Sequence, residues 1–209
     1  GSLGGRAVAY SGETLAFAVA TPRDDRGDSI DDRYTTVGRV VQRALRALGA
    51  VVAPGEPPAS FCPGDHSVRV EAGGKLIGLA QRVRADAALV AGCLVPTVAD
   101  ATVLGQVLTP TYDALAVDFD PATVGSVEAA GGPTDAAAIR RAVEFALCAS
   151  TRATDERTEA HTARRLTSDG HAGPLAGVDV AADTTVRDRF PTVTVTHVGD
   201  ETTGASGQP

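Results

Sequence analysis

This chain of 209 residues contains no methionine, no tryptophan and a single lysine, Lys75, among nineteen basic residues. It has three cysteines, Cys62, Cys93 and Cys148, which are too few and too scattered for a disulfide framework, and no CxxC pair proposes zinc. No apolar stretch approaches the roughly 20 residues that a bilayer-spanning helix needs, and the N-terminus lacks the charged-then-apolar pattern of a signal peptide, so the expected location is cytoplasmic. Positive charge is also short: the formal net charge is −7, with Asp and Glu totalling 26. Such a surface repels phosphate backbones, so nucleic acid is not an expected partner, and neither is a membrane. The absence of methionine at position 1 is read as the mark of a fragment or processed form.

At this length one full domain with appendages is expected rather than two. Aspartate exceeds glutamate eighteen to eight, and with arginine in place of lysine this is the balance of a salt-adapted, archaeal proteome. Residues 6–10 (RAVAY) and 14–20 (TLAFAVA) read as two strands flanking a turn at Ser11-Gly12. From Ser29 a capping residue and first-turn acids lead into apolar positions at Ile30, Tyr34, Val37, Val41, Leu45 and Leu48, closed by Gly49, which is helical spacing. A short strand near 50–53 is followed by the proline-rich loop PGEPPASFCPGD. Residues 67–83 then read as a hairpin turning at Gly73-Gly74, with a further strand at 88–95. Helices are expected at 99–108 and 134–148. Beyond about residue 150 the sequence is polar and Thr-rich, so residues 151–209 are expected to form a loosely ordered tail, with FPTVTVTHV as an added edge strand. The mixture of hairpins and helices without β-α-β alternation predicts an α+β fold with a mostly antiparallel or mixed sheet and flanking helices.

Lys75 is the first candidate for chemistry. Arginine replaces lysine in most surface ion pairs but not where a compact charge on a flexible stem must enter a tight site. The competing explanation is that composition removed lysines and chance spared one at a hairpin. Gly4-Gly5-Arg6 and Gly73-Gly74-Lys75 each join backbone that can approach a ligand closely to a cation, a combination suited to an anion. Each is also ordinary turn chemistry. Neither matches a Walker loop or the dinucleotide fingerprint.

The segment FCPGDHSVRVEAGGKLIGLAQRV, residues 61–83, resembles the biotin and lipoate protein ligase and octanoyltransferase superfamily: a polar stretch with an Asp, a strand, a glycine-lysine turn, then Gly78 and Ala80-Gln81. GGRAVAY at 4–10 resembles an earlier motif of the same family. ALVAGCLV resembles the strand after the lysine, and YDALAVDFDPATVGSV looks like its archaeal lipoate ligase-like branch. The likeness covers residues 4–146 and implies a ligase-like catalytic domain over 1–150, lacking an N-terminal part that the family normally carries.

The resemblance implies activation of lipoate or octanoate with ATP and Mg²⁺ to an acyl-adenylate, then transfer to a lysine of a lipoyl carrier domain. That carrier would be a 2-oxoacid dehydrogenase E2 or the glycine cleavage H protein, and a separate accessory subunit is a further expected partner. Carried over, Lys75 is the catalytic cation, set against an acyl carboxylate and its phosphate partner. Gly4, Gly5, Arg6, Gly73, Gly74, Gly78, Ala80 and Gln81 shape the acyl and nucleotide pocket, and Asp65 stands near the metal and phosphates, with Gly64 where the family has Asn. Some relatives hold the acyl group on a cysteine, which makes Cys62 the candidate nucleophile of an alternative octanoyl or lipoyl transferase and a buried structural thiol the plainer reading. A third reading is an inactive relative that only binds an acyl group or a partner. Cys93, in an apolar strand, reads as core, and His66 beside Asp65 as a solvated side chain.

Overall fold

The computed structural model describes residues 6–22 and 29–150, together with the backbone of 193–197. The fold is built on an antiparallel sheet of six strands: β1 (Leu15–Pro22), β2 (Val52–Pro54), β3 (Val68–Val70), β4 (Lys75–Val83), β5 (Ala87–Leu94) and β6 (Val193–His197), in the order β2-β3-β4-β5-β1-β6. The architecture is α+β, as the sequence predicts, and Val193–His197, within FPTVTVTHV, supplies the edge strand beside β1; the rest of the expected tail over 151–209 lies outside the described residues.

Alternation in β1 explains its place. Leu15, Phe17 and Val19 are buried in the main core, while Ala16 and Ala18 point to the other face. Helix α1 (Ile30–Ala47) covers that core with Val37, Val40, Val41, Ala44 and Leu45. Its start is fixed by a reciprocal capping box between Ser29 and Asp32, and the Ser29 hydroxyl, 2.8 Å from the carboxylate, holds Asp32 below the usual carboxylate range. Gly49, at φ +90°, ends it. A helix over residues 136–150, α3, adds Ile139, Val143 and Leu147 to the same core. Helix α2 (Val98–Ala114) belongs to a second cluster with Phe61, Val95, Leu104, Leu108, Tyr112 and Val124.

Two expectations fail. Residues 6–10 form no strand: β1 is already paired with β5 on one side and β6 on the other, so the sheet offers no edge there. The segment instead packs Ala7 and Ala9 against the α2 cluster. Helix α2 also passes the expected stop, running through Pro110 to Ala114. Buried Tyr112 anchors the added turn, which outweighs the one backbone hydrogen bond, to the Gln106 carbonyl, that Pro110 cannot donate.

Candidate active site

A cavity of about 1000 Å³ opens over β1, β4 and β5. Two cross-strand rows pave it, Ala16–Cys93–Gly78 and Ala18–Ala91–Ala80. Directly opposed residues share a face, and every member of both rows is small, so the sheet surface is left uncovered instead of filled. Val8, Ala9, Tyr10, Phe61, Val95 and Leu104 complete walls that are largely apolar. The volume and lining suit a flexible aliphatic chain.

Lys75 stands at one end of this cavity and is 1 % exposed. The β3–β4 turn and the segment 124–125 grip its backbone: the Gly125 amide donates to the Lys75 carbonyl at 2.8 Å, and Lys75 bridges Val124. That approach explains Gly74, where a Cβ would lie 2.6 Å from the Gly125 amide nitrogen. The ammonium donates to the Cys62 carbonyl at 2.6 Å, the Phe61 carbonyl at 3.0 Å and the Glu56 carboxylate at 3.2 Å. It also lies 5.0 Å from the Phe61 ring centroid. All three of its N–H groups therefore have acceptors, the condition for burying an ammonium.

The acceptors come from the loop 54–65. Ala59 and Cys62 in it take left-handed backbone angles, φ 53° and φ 40°, which side-chain-bearing residues adopt at a cost of about 1–3 kcal/mol each. The Cys62 amide donates to the Tyr112 hydroxyl at 2.6 Å, which donates on to the Ala7 carbonyl at 2.9 Å, so a buried phenol ties this loop to the N-terminal segment. Burial raises the Tyr112 pKa above the usual phenol value. The Arg6 amide lies 3.3 Å from the Cys62 sulfur.

The structure brings Lys75, Cys62, Arg6, Gly78, Ala80 and Gln81 to one cavity. Gln81 also has a structural engagement, accepting from Arg33 at 2.8 Å and donating to the Ile30 carbonyl at 3.2 Å. Gly73, Gly74 and Asp65 lie outside the lining, and Asp65 is exposed. Gly4 and Gly5 fall outside the described residues. Among the described residues no three His, Cys, Asp or Glu side chains are grouped to hold a metal. Cys93, expected in the core, faces the cavity instead, 3.4 Å from the Tyr10 hydroxyl. Burial raises its thiol pKa. Tyr10 is pushed up to about 12, first by the hydrogen bond with Cys93 and then by burial. His66 is half-buried, not solvated, stacking on Tyr34 at 4.4 Å and pairing with Asp31 at 3.4 Å.

Residues 2–144 match the lipoyl protein ligase A/B catalytic domain family. The chain belongs to that family. A curated relative, an octanoyl-[GcvH]:protein N-octanoyltransferase from an Exiguobacterium species, is 31% identical over 79 residues, covering 38% of this chain and 28% of that protein. A bipartite lipoate protein ligase of Thermoplasma acidophilum, solved in a study of an archaeal lipoylation system with its E2 lipoyl domain, aligns with a TM-score of 0.51 at 22% identity, over 70% of this chain and 55% of that one. A lipoate-protein ligase A bound with ATP aligns with a TM-score of 0.49 at 23% identity, over 66% and 52%. The chain thus spans about half the length of these solved relatives and a smaller share of the curated one. The described part of this lipoyl ligase-family chain has no helix long and apolar enough to cross a membrane.

Glu56, Tyr10 and Tyr112 carry site geometry that the sequence reading did not single out. Glu56 had one available signal, being the only acid in PGEPPASFC, the loop that precedes the one lysine.

Proposed function

We propose that the chain is the lysine-bearing catalytic part of an enzyme that attaches lipoyl or octanoyl groups to a lysine of a lipoyl carrier domain. The observation that carries this is an apolar cavity floored by alanine, glycine and cysteine and ending at one buried ammonium. The acyl chain lies over the two small-residue rows, and the acyl oxygen meets Lys75, whose charge stabilises the oxyanion as transfer proceeds. In the ligase route the acyl carboxylate attacks ATP, pyrophosphate leaves, and the carrier amine then attacks the acyl-adenylate and releases AMP. Arg6 and Lys75 are the cavity cations that would meet the nucleotide phosphates. Asp65, the expected magnesium contact, lies outside the cavity lining, and no step is assigned to a metal. Octanoate- or lipoate-dependent pyrophosphate exchange tests this route; exchange that is indifferent to the acid would refute it.

A second route has its own observation, the presence of Cys62 on the cavity wall beside Lys75. Here the Cys62 thiol takes the acyl group from a donor carrier, forming a thioester, and the carrier amine cleaves it to restore the thiol. The Lys75 ammonium serves the same oxyanion in both steps. Intact-mass detection of an acyl adduct that disappears in Cys62→Ser supports this route, and unchanged transfer by that variant ends it.

A further inference from the structure

We propose that Glu56 is a competing counter-ion: it pairs with the Lys75 ammonium, and an anionic ligand head group must displace it to bind. The identity of that ligand rests on the acyl reading above; the exchange itself rests on geometry. Two of the three acceptors of the ammonium, the Phe61 and Cys62 carbonyls, are neutral and tolerate an arriving anion. Glu56 is the charged one, at 3.2 Å, and its side chain is only 18 % exposed, so solvent screens the pair weakly. A carboxylate or phosphate cannot share the ammonium with it without like-charge repulsion.

Glu56 has somewhere to go. Its Oε1 also accepts a short hydrogen bond from the Ser60 hydroxyl, and its Oε2 accepts from the Gly64 amide at 3.3 Å. Both partners lie in the same loop and would keep the carboxylate satisfied once the ammonium turned away. The ammonium likewise has a route out. Gly78 presents no side chain toward it, and even a Cβ there would lie 3.9 Å from Nζ, so the cavity reaches the charge across Gly78. A neutral head group offers nothing to replace the lost ion pair. Glu56 therefore weakens binding of anionic head groups, which must displace it from the ammonium, and leaves binding of neutral ones, which keep the ion pair in place, unchanged.

The single lysine makes the exchange directly measurable, because every ε-amine adduct is at Lys75. Acetylation by a succinimidyl acetate, read by peptide mass spectrometry against the α-amino group as internal reference, is expected to be at least about tenfold slower at Lys75 in the parent chain than in Glu56→Gln. Ser60→Ala keeps both charges, loosens only the Glu56 anchor, and is expected to give an intermediate rate. Calorimetry is expected to show octanoate binding about tenfold more tightly to Glu56→Gln, with 1-octanol unchanged. Equal labelling of the parent and both variants overturns the proposal, as does octanoate affinity that is unchanged or weaker in Glu56→Gln. If neither protein binds octanoate or lipoate, the acyl reading fails, and faster labelling in Glu56→Gln still supports the counter-ion role.

Discussion

Lys75 owes its isolation to three acceptors delivered by one loop, and the geometry is specific to an ammonium. A guanidinium is planar and larger, and cannot converge its donors on the Cys62, Phe61 and Glu56 oxygens from the same stem. Its singularity in the sequence made Lys75 legible. Glu56 was not, because an ion pair across a turn-rich loop leaves no periodicity to read. Cys93 was misread because a half-buried cysteine in an apolar strand looks the same whichever face it takes. Its contact with Tyr10 gives a prediction at this scale. With no tryptophan and only three tyrosines, phenolate absorbance should show one phenol ionising near 12, and Cys93→Ala should return it toward the ordinary value near 10. Because the folded value is raised, neutral Tyr10 contributes stability that is complete below about 10 and lost as pH rises from there through 12. A parent chain whose tyrosines all titrate near 10 would contradict the contact.

At the scale of elements, the cavity is a consequence of what β1, β4 and β5 lack on one face. The sequence announced all three strands through their apolar runs, and the opposite face fills with Leu15, Phe17, Val19 and Ile77 as expected of a core. The register that aligns Ala16 with Cys93 and Gly78, and Ala18 with Ala91 and Ala80, is set by tertiary pairing and could not be read from any one strand. Gly78 lies next to the Lys75 side chain, so the Ala18–Ala91–Ala80 row is the one further along β4 from the ammonium. Ala91→Leu should therefore shorten the cavity at its far end: octanoate affinity is expected to fall about tenfold or more while butyrate affinity is kept, since a few buried methylenes carry about 0.8 kcal/mol each. Equal losses for both acids in a titration would place the acyl chain elsewhere.

Across the whole molecule, the site depends on two bodies of packing meeting at Lys75: the main core under α1 and α3, and the α2 cluster that carries Phe61 and Tyr112. The seam is the contact of Gly74 with Gly125, too close for a side chain on either. The glycine pair before the lysine, read from sequence as ligand-binding backbone, has at Gly74 a packing reason. Gly74→Ala should cost about 3 kcal/mol in a denaturant titration, because the atoms it meets are backbone and cannot rotate away. A loss below half a kcal/mol would show that the seam is looser than described. The α+β architecture and family were readable from sequence because hairpins, caps and the lysine block are local patterns. The failed strand at 6–10 was not, because only the occupied edges of β1 forbid it.

The central claim, that Lys75 supplies a compact charge to an acyl group in transfer, is tested most directly by Lys75→Arg. The rate of octanoyl or lipoyl transfer to a lipoyl carrier domain should fall by about 10²–10³-fold in a variant that still melts cooperatively, the scale of losing one preorganised oxyanion contact. A folded Lys75→Arg chain that transfers acyl groups as fast as the parent would contradict the account.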